Sequence, residues 1–286
     1  MEKFLSVFRN AAGERKVLAA YDAVMENVDR PLEERYVPTR LGETHVLITG
    51  KEGRPPLLLV HAYYATAASW YKNLPALSER FRVYALDLIG DPNKSRPLQV
   101  VRDAGEFVQW FRDVMDALFI ERADFIGNSV GAFHIVNFAR QAPERIRKMV
   151  LIGPAATFLP IIPFYVHTFP GGMTGWTPLV RHAVRWIENN APFDPAFREL
   201  FYLNLKYGKA VNQVFPRVFT DEELRQIDIP TLVLYGSGEV IYDYTQAIDR
   251  AKKLMNNVHT VIIGGANHLT AATNAEMTNN ALLEFL

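Results

Sequence analysis

The chain has 286 residues, 49% of them hydrophobic and 22% charged, and its 31 basic side chains balance 31 acidic ones. That size and apolar content suit one large domain, or one domain with an insertion, built on a sizeable core. Zero formal net charge speaks against nucleic acid or an anionic membrane surface as the main partner and favours an uncharged substrate.

The absence of cysteine removes disulfides, thiolate catalysis and cysteine-ligated metal. No apolar run near the N-terminus is long enough for a signal peptide or a membrane span, so a soluble cytoplasmic protein is expected. Residues 1–30 read as a helical lead-in of one or two amphipathic helices, with apolar Leu5, Phe8, Val17, Leu18, Tyr21, Val24 and Met25. Tyr36–Arg40 and Thr44–Thr49 alternate about Leu41-Gly42-Glu43, a hairpin signal. Leu57–Val60 is a continuous apolar run of the kind buried on both faces of a sheet. Thr66–Ser78 is expected to be helical, Val83–Leu86 a strand, Ala104–Leu118 a helix and Met149–Ile152 a strand. Thr231–Tyr235 (strand), Thr245–Met255 (helix), Val258–Ile263 (strand) and Thr270–Phe285 (helix) complete the alternation. The pattern predicts an α/β fold, a mostly parallel sheet flanked by helices. Residues 31–154 and 221–286 would form this core. Residues 155–220 are too long for a simple crossover and rich in Pro and aromatics; they read as a helical cap over the carboxyl ends of the strands.

Between Ala123 and Ala139 the chain reads as buried strand, tight turn and helix, with Gly127-Asn128-Ser129-Val130-Gly131 at the turn. A G-x-S-x-G sequence in that setting is a nucleophile elbow: the serine is forced to the tip of a strained turn, and the glycines admit the neighbouring strand and helix. Ser129 is the expected nucleophile. His268 follows the last strand and precedes the last helix, so its loop emerges at the same sheet edge, and it is the expected base. His134 is expected to pack in the core, and His45 and His259 lie away from that edge. His167 and His182 fall in the cap, and His61 reads as a brace for its loop. The acid comes from the loop after Thr231–Tyr235, where Glu239 and Asp243 both qualify. Glu239 is favoured because it is nearer the strand end, while Asp243 is placed to cap a helix. For an oxyanion, the backbone N–H groups of Val130 and Tyr63 are the expected donors. Tyr64, Phe158 and Phe164 are candidate substrate contacts.

A strand followed by His61, then G-x-S-x-G, then an acid and a histidine in the order Ser129, Glu239, His268, resembles the α/β-hydrolase fold over Tyr36–Leu286. The segments RYVPTRLGETHVLITG, DLIGDPNKS, ATFLP, FTDEELR and GEVIYD are similar to those of Bacillus carboxylesterases of the carboxylesterase NP type. That resemblance implies a glutamate at the acid position, hence Ser129, Glu239 and His268 as a triad with the Tyr63 and Val130 amides as oxyanion hole. Ala62 departs from the family's usual glycine; if that position needs φ > 0, alanine costs about 1 kcal/mol or shifts the loop. Serine rather than aspartate in the elbow excludes dehalogenase and epoxide hydrolase chemistry.

The expected activity is hydrolysis of small to medium uncharged carboxylic esters through an acyl-enzyme on Ser129, which needs no metal or cofactor. The same triad could act on C–C bonds, thioesters or lactones, or in acyl transfer. A non-catalytic ligand receptor on a hydrolase fold is the alternative of another class.

Overall fold

The computed structural model describes residues 3–286; the first two positions of the expected lead-in lie outside the described residues. One helix, α1 (Ala11–Met25), follows an extended segment and starts on Asn10, whose side chain accepts from Gly13 N–H. The hairpin forms as β1 (Glu33–Thr39) and β2 (Gly42–Thr49), and β3 (Pro56–Val60) follows. The expected helix over Thr66–Ser78 is instead a 3-10 turn (Ala67–Trp70) and a short α2 (Leu74–Ser78). Pro75 sits in the first turn of α2; having no N–H, it cannot continue a helix from Trp70. Next come β4 (Arg82–Leu86), the two-residue β5 (Arg96–Pro97), which the sequence did not announce, α3 (Ala104–Ala117), β6 (Ala123–Asn128), α4 (Val130–Gln141) and β7 (Ile146–Ile152).

Five helices lie between β7 and the next strand, the first four within residues 155–220: α5 (Ile162–His167), α6 (Phe169–Thr174), α7 (Thr177–Glu188) and α8 (Pro195–Tyr207). After α9 (Asp221–Arg225), the chain closes with β8 (Thr231–Gly238), α10 (Tyr244–Leu254), β9 (Val258–Asn267), α11 (Thr270–Thr273) and α12 (Ala275–Phe285). β8 and β9 run further than their apolar cores, pairing as far as Gly238 with Asn267 across a bulge. The expected last helix breaks at Asn274, whose backbone leaves the helical region.

The sheet has nine strands in the order β1-β2-β4-β3-β6-β7-β8-β9, with β5 on β2. From β4 through β9 every pairing is parallel. Apolar residues of β3 alternate between two cores: Leu57 and Leu59 face one and Leu58 and Val60 the other. This is the physical content of a continuous apolar run, since successive side chains on a strand point to opposite faces. α3 packs by Phe107, Trp110, Phe111, Val114 and Met115, all buried, and Trp110 Nε1 donates to Thr44 Oγ1 at 2.7 Å.

The topology positions the site. From β3 the chain steps to β4 on one side and returns to β6 on the other. The loops after β3 and β6 therefore part at adjacent carboxyl ends and leave a crevice.

His134 is buried as expected, stacked on Phe107 with ring centroids 3.8 Å apart, and burial pushes its pKa down to about 3. The folded state thus holds it neutral, whereas the unfolded chain takes up a proton below its ordinary pKa near 6.5. Stability from this site is complete above that value and falls with pH down to the folded pKa. His134→Phe is expected to reduce the acid sensitivity: of the stability wild type loses between pH 7 and 5, about 2 kcal/mol should disappear in the variant. Urea unfolding at the two pH values checks this; an unchanged difference would contradict it.

Candidate active site

Ser129 stands between β6 and α4 with φ 54° and ψ −114°. A non-glycine residue there is strained and needs surroundings that over-determine it. They are present: Ser129 N–H donates to Ile152 O at 2.8 Å, and Ser129 O accepts from Ala155 N–H at 3.0 Å and Phe133 N–H at 3.1 Å. The two glycines have the steric role the motif implies. A Cβ on Gly127 would be 2.5 Å from Ala132 N, and one on Gly131 would be 2.3 Å from Val60 O. The second contact presses the start of α4 against the end of β3, which brings Val130 near the His61–Tyr64 loop.

In that loop His61 is wholly buried, and burial lowers its pKa. Its Nε2 accepts from Leu88 N–H at 3.0 Å and its Nδ1–H donates to Ala62 O at 2.8 Å, so it braces the loop. The left-handed residue is Tyr64 at φ 59°, not Ala62. Alanine at 62 therefore meets no such strain, and the cost expected there is absent. Tyr63 and Val130 N–H have no protein acceptor among the described residues.

His268 and Glu239 meet. Nδ1 of His268 lies 2.7 Å from Glu239 Oε2, with both side chains out of solvent. The other oxygen, Oε1, accepts from Val240 N–H at 2.9 Å and Ile241 N–H at 2.8 Å. A carboxylate so held fixes the proton of His268 on Nδ1 and leaves Nε2 as the acceptor. That Nε2 is buried and unpartnered among the described residues, so no hydrogen bond to Ser129 Oγ is formed here. Such bonds tighten as substrate is engaged. Asp243 is elsewhere, capping α10 by accepting from Thr245 N–H at 2.9 Å. Gly153 runs beside the pair at φ 48°; a Cβ there would be 3.0 Å from His268 Nδ1.

Two asparagines tie these parts together, and no motif marked them. Asn128 Nδ2 donates to Ile152 O at 3.0 Å and His268 O at 3.4 Å, joining the elbow to the histidine loop. Asn267 Nδ2 donates to Glu188 O and Ala191 O between α7 and α8, while its Oδ1 accepts from Leu269 N–H.

A cavity of about 400 Å³, counting its part open to solvent, lies over Ser129, yet the centres of water molecules have only about 20 Å³ of it, enough for one water. Its walls are mostly apolar: Tyr63, Phe164, Tyr165 and Phe169, closed by Phe215 and Ile241. Phe164 is thus where a substrate contact was expected. Phe158 is not: its ring is buried in the core on the α3–α4 side of the sheet, away from the cavity. Tyr64 also misses the cavity wall, its left-handed backbone placing the ring beneath α6, edge-on to Tyr63 at 4.5 Å. The wall residues Ile161, Tyr165, Val214 and Phe215 of the cap and Ile241 of the loop after β8 were not anticipated; an apolar residue in a cap or loop gives no sequence signal of which way it faces. His167 and His182 lie outside the cavity wall, hydrogen-bonded to each other at 3.0 Å.

A family model described as the alpha/beta hydrolase fold matches residues 55–275, and the chain belongs to that family. Its relatives include Carboxylesterase YbfK of Bacillus subtilis (strain 168), 34% identical over 274 residues that span 93% of this chain and 92% of that protein. An uncharacterized carboxylesterase, nap, of the same organism is 35% identical over 259 residues, or 87% of this chain and 85% of that one. Among solved structures, carboxylesterase CesB (YbfK) from Bacillus subtilis matches with a TM-score of 0.90 at 33% identity, covering 96% of this chain and 98% of that one. Naproxen esterase (carboxylesterase NP), also from Bacillus subtilis, matches with a TM-score of 0.90 at 31% identity, covering 97% and 99%.

The different settings of the two acids are testable. Asp243→Ala is expected to lower the melting temperature, since Thr245 and Gln246 lose their acceptor, while ester hydrolysis stays within about twofold of wild type. A large loss of rate at unchanged melting temperature would reverse this reading.

Proposed function

We propose that the protein is a serine carboxylesterase of the cytoplasm, with Ser129, Glu239 and His268 as its triad and the Tyr63 and Val130 amides as its oxyanion hole. The observation that carries the proposal is the buried Glu239–His268 contact of 2.7 Å, which leaves His268 Nε2 without a partner in the loop tied by Asn128 to the elbow. The near-full-length carboxylesterase relatives support the choice of ester bonds.

In this mechanism His268 Nε2 takes the proton of Ser129 as Oγ attacks the ester carbonyl. The imidazolium so formed is offset by Glu239, whose Oε1 is fixed by the Val240 and Ile241 amides. Oxyanion charge is met by the N–H groups of Tyr63 and Val130, the latter at the positive end of α4. His268 then gives its proton to the departing alcohol. Water, activated by the same imidazole, releases the acid. The apolar cavity wall and zero net charge favour an uncharged ester of small to medium size as partner, with no role for nucleic acid.

Ser129→Ala is expected to abolish hydrolysis of p-nitrophenyl esters and to keep a cooperative unfolding transition. Glu239→Gln should lower kcat by about 10²–10⁴, because the amide no longer offsets the imidazolium and can hold the wrong tautomer. A fluorophosphonate should attach to wild type at Ser129 and not to Ser129→Ala. Retention of near-full rate by Ser129→Ala, or no labelling of wild type, would sink the proposal. Faster turnover of a lactone or a diketone than of any ester in a parallel panel would move it to another bond.

A further inference from the structure

The segment before β1 is laced into the helices above Ser129. Arg9 N–H donates to Tyr207 O at 2.8 Å, and Lys209 N–H donates to Val7 O at 2.8 Å, which places Phe8 opposite Gly208. α1 then packs along α8, so tightly that a Cβ on Gly13 would stand 2.6 Å from the Tyr207 ring. The Arg9 side chain reaches past α8 to α6: its Nη2 donates to Gly172 O at 2.6 Å and to Met173 O at 2.8 Å. Those carbonyls lie in the last turn of a short helix, where a cation both fills free acceptors and meets the negative end of the dipole. Gly175, at φ 64°, turns the chain away just beyond; a Cβ there would be 2.4 Å from Lys206 O and 3.0 Å from Arg9 Nε.

α6 is the helix through which this tether reaches the site. Phe169, its first residue, is in the cavity wall. Gly172 lies on the Tyr64 phenol so closely that a Cβ would be 2.1 Å from the Tyr64 hydroxyl. Tyr64 in turn has its carbonyl held by Asn204 Nδ2 of α8 at 3.0 Å and is the left-handed residue directly after Tyr63. A guanidinium near the N-terminus thus clamps a helix that forms part of the cavity wall at one end and rests on the Tyr63–Tyr64 turn at its middle.

We propose that Arg9 is a positioning and size-selecting residue of this enzyme, the latch that seats α6 on Tyr64, so that Phe169 keeps the cavity narrow and the Tyr63 amide stays aimed beside Ser129. This rests on the carboxylesterase reading and extends it to a residue far from the triad in sequence. With about 20 Å³ free for water centres, an acyl chain enters only as the ring wall yields, and α6, packed between α7 and α8, is the part of that wall whose terminal carbonyls are held by the Arg9 side chain.

The test uses the full chain with Arg9→Ala and Arg9→Lys, and Arg15→Ala on the exposed side of α1 as control. Rates are read with p-nitrophenyl acetate and p-nitrophenyl octanoate. In Arg9→Ala, kcat for acetate is expected to fall about tenfold as the Tyr63 donor drifts. The octanoate-to-acetate ratio of kcat/KM should rise about tenfold as the wall loosens. Arg9→Lys, which keeps the charge but not the paired reach, falls between, and Arg15→Ala matches wild type. Amide hydrogen exchange over residues 169–176 should be about tenfold faster in Arg9→Ala, a readout that needs no esterase activity. A wild-type ratio in Arg9→Ala with intact phosphonate labelling overturns the proposal, as does unchanged exchange over 169–176. Should wild type itself refuse the label, the esterase reading falls while exchange still decides the latch. If Arg9→Ala does not fold, the same ratio and exchange in Arg9→Lys decide it.

Discussion

A serine held at φ 54° between a parallel strand and a helix is the constraint on which the site depends. Left alone, the Ser129 backbone would relax to an allowed region and carry its hydroxyl away from the crevice. It is kept there by hydrogen bonds to Ile152 and Ala155, and by the absence of side chains at Gly127 and Gly131, where β6, α4 and the end of β3 nearly touch. The strain costs stability of order 1–3 kcal/mol, which the buried apolar faces of β3, β6 and β7 readily offset. The same close approach places the Val130 amide and the loop carrying Tyr63 at one crevice. The proposed nucleophile and the proposed oxyanion donors are thus consequences of a single packing contact rather than separately arranged.

Polar groups beneath the site are organised to hold loops. Asp87 is fully buried; burial alone would raise its pKa, but the hydrogen bond and charge of His45 and the Ala67 N–H outweigh it and keep the carboxylate ionised. Through Ala67 this carboxylate fixes the 3-10 turn that ends the Tyr63 loop, while His61 fixes its beginning through Leu88. On the far side Asn128 and Asn267 do the corresponding work for the loop of His268. Buried polar groups satisfied in this way define one geometry, because each alternative leaves a donor or acceptor without a partner in a medium of low dielectric.

Helices α5 and α6 give the cavity part of its apolar wall, and the N-terminal segment ties α6 and α8 together. An extended strand and one arginine do this with backbone-directed hydrogen bonds, the kind least dependent on which side chains surround them. The proposed latch thus couples the tight cavity over Ser129 to a contact between Arg9 and a carbonyl more than 160 positions later.

The sequence by itself determined the sheet, its sidedness and its sharpest turn. Continuous apolar runs such as Leu57–Val60 can be buried only on both faces, and G-x-S-x-G between such a run and a helical pattern leaves little other use for two glycines. Ser129, His268 and Glu239 were legible because each follows a strand whose end is fixed by that sheet. Only the tertiary structure decided the rest. Phe158 and Phe164 are the same residue type six positions apart, yet one fills the core and the other faces the cavity. Ala62 and Tyr64 exchange the backbone roles that the glycine pattern suggested. Arg9 carried no motif, since its partners are carbonyl oxygens that every residue possesses. Periodicity and motif encode what a segment does along its own axis; which face of a cap meets a ligand, and which distant carbonyl meets a cation, are set by how separate segments pack, and a single sequence records that only in combination.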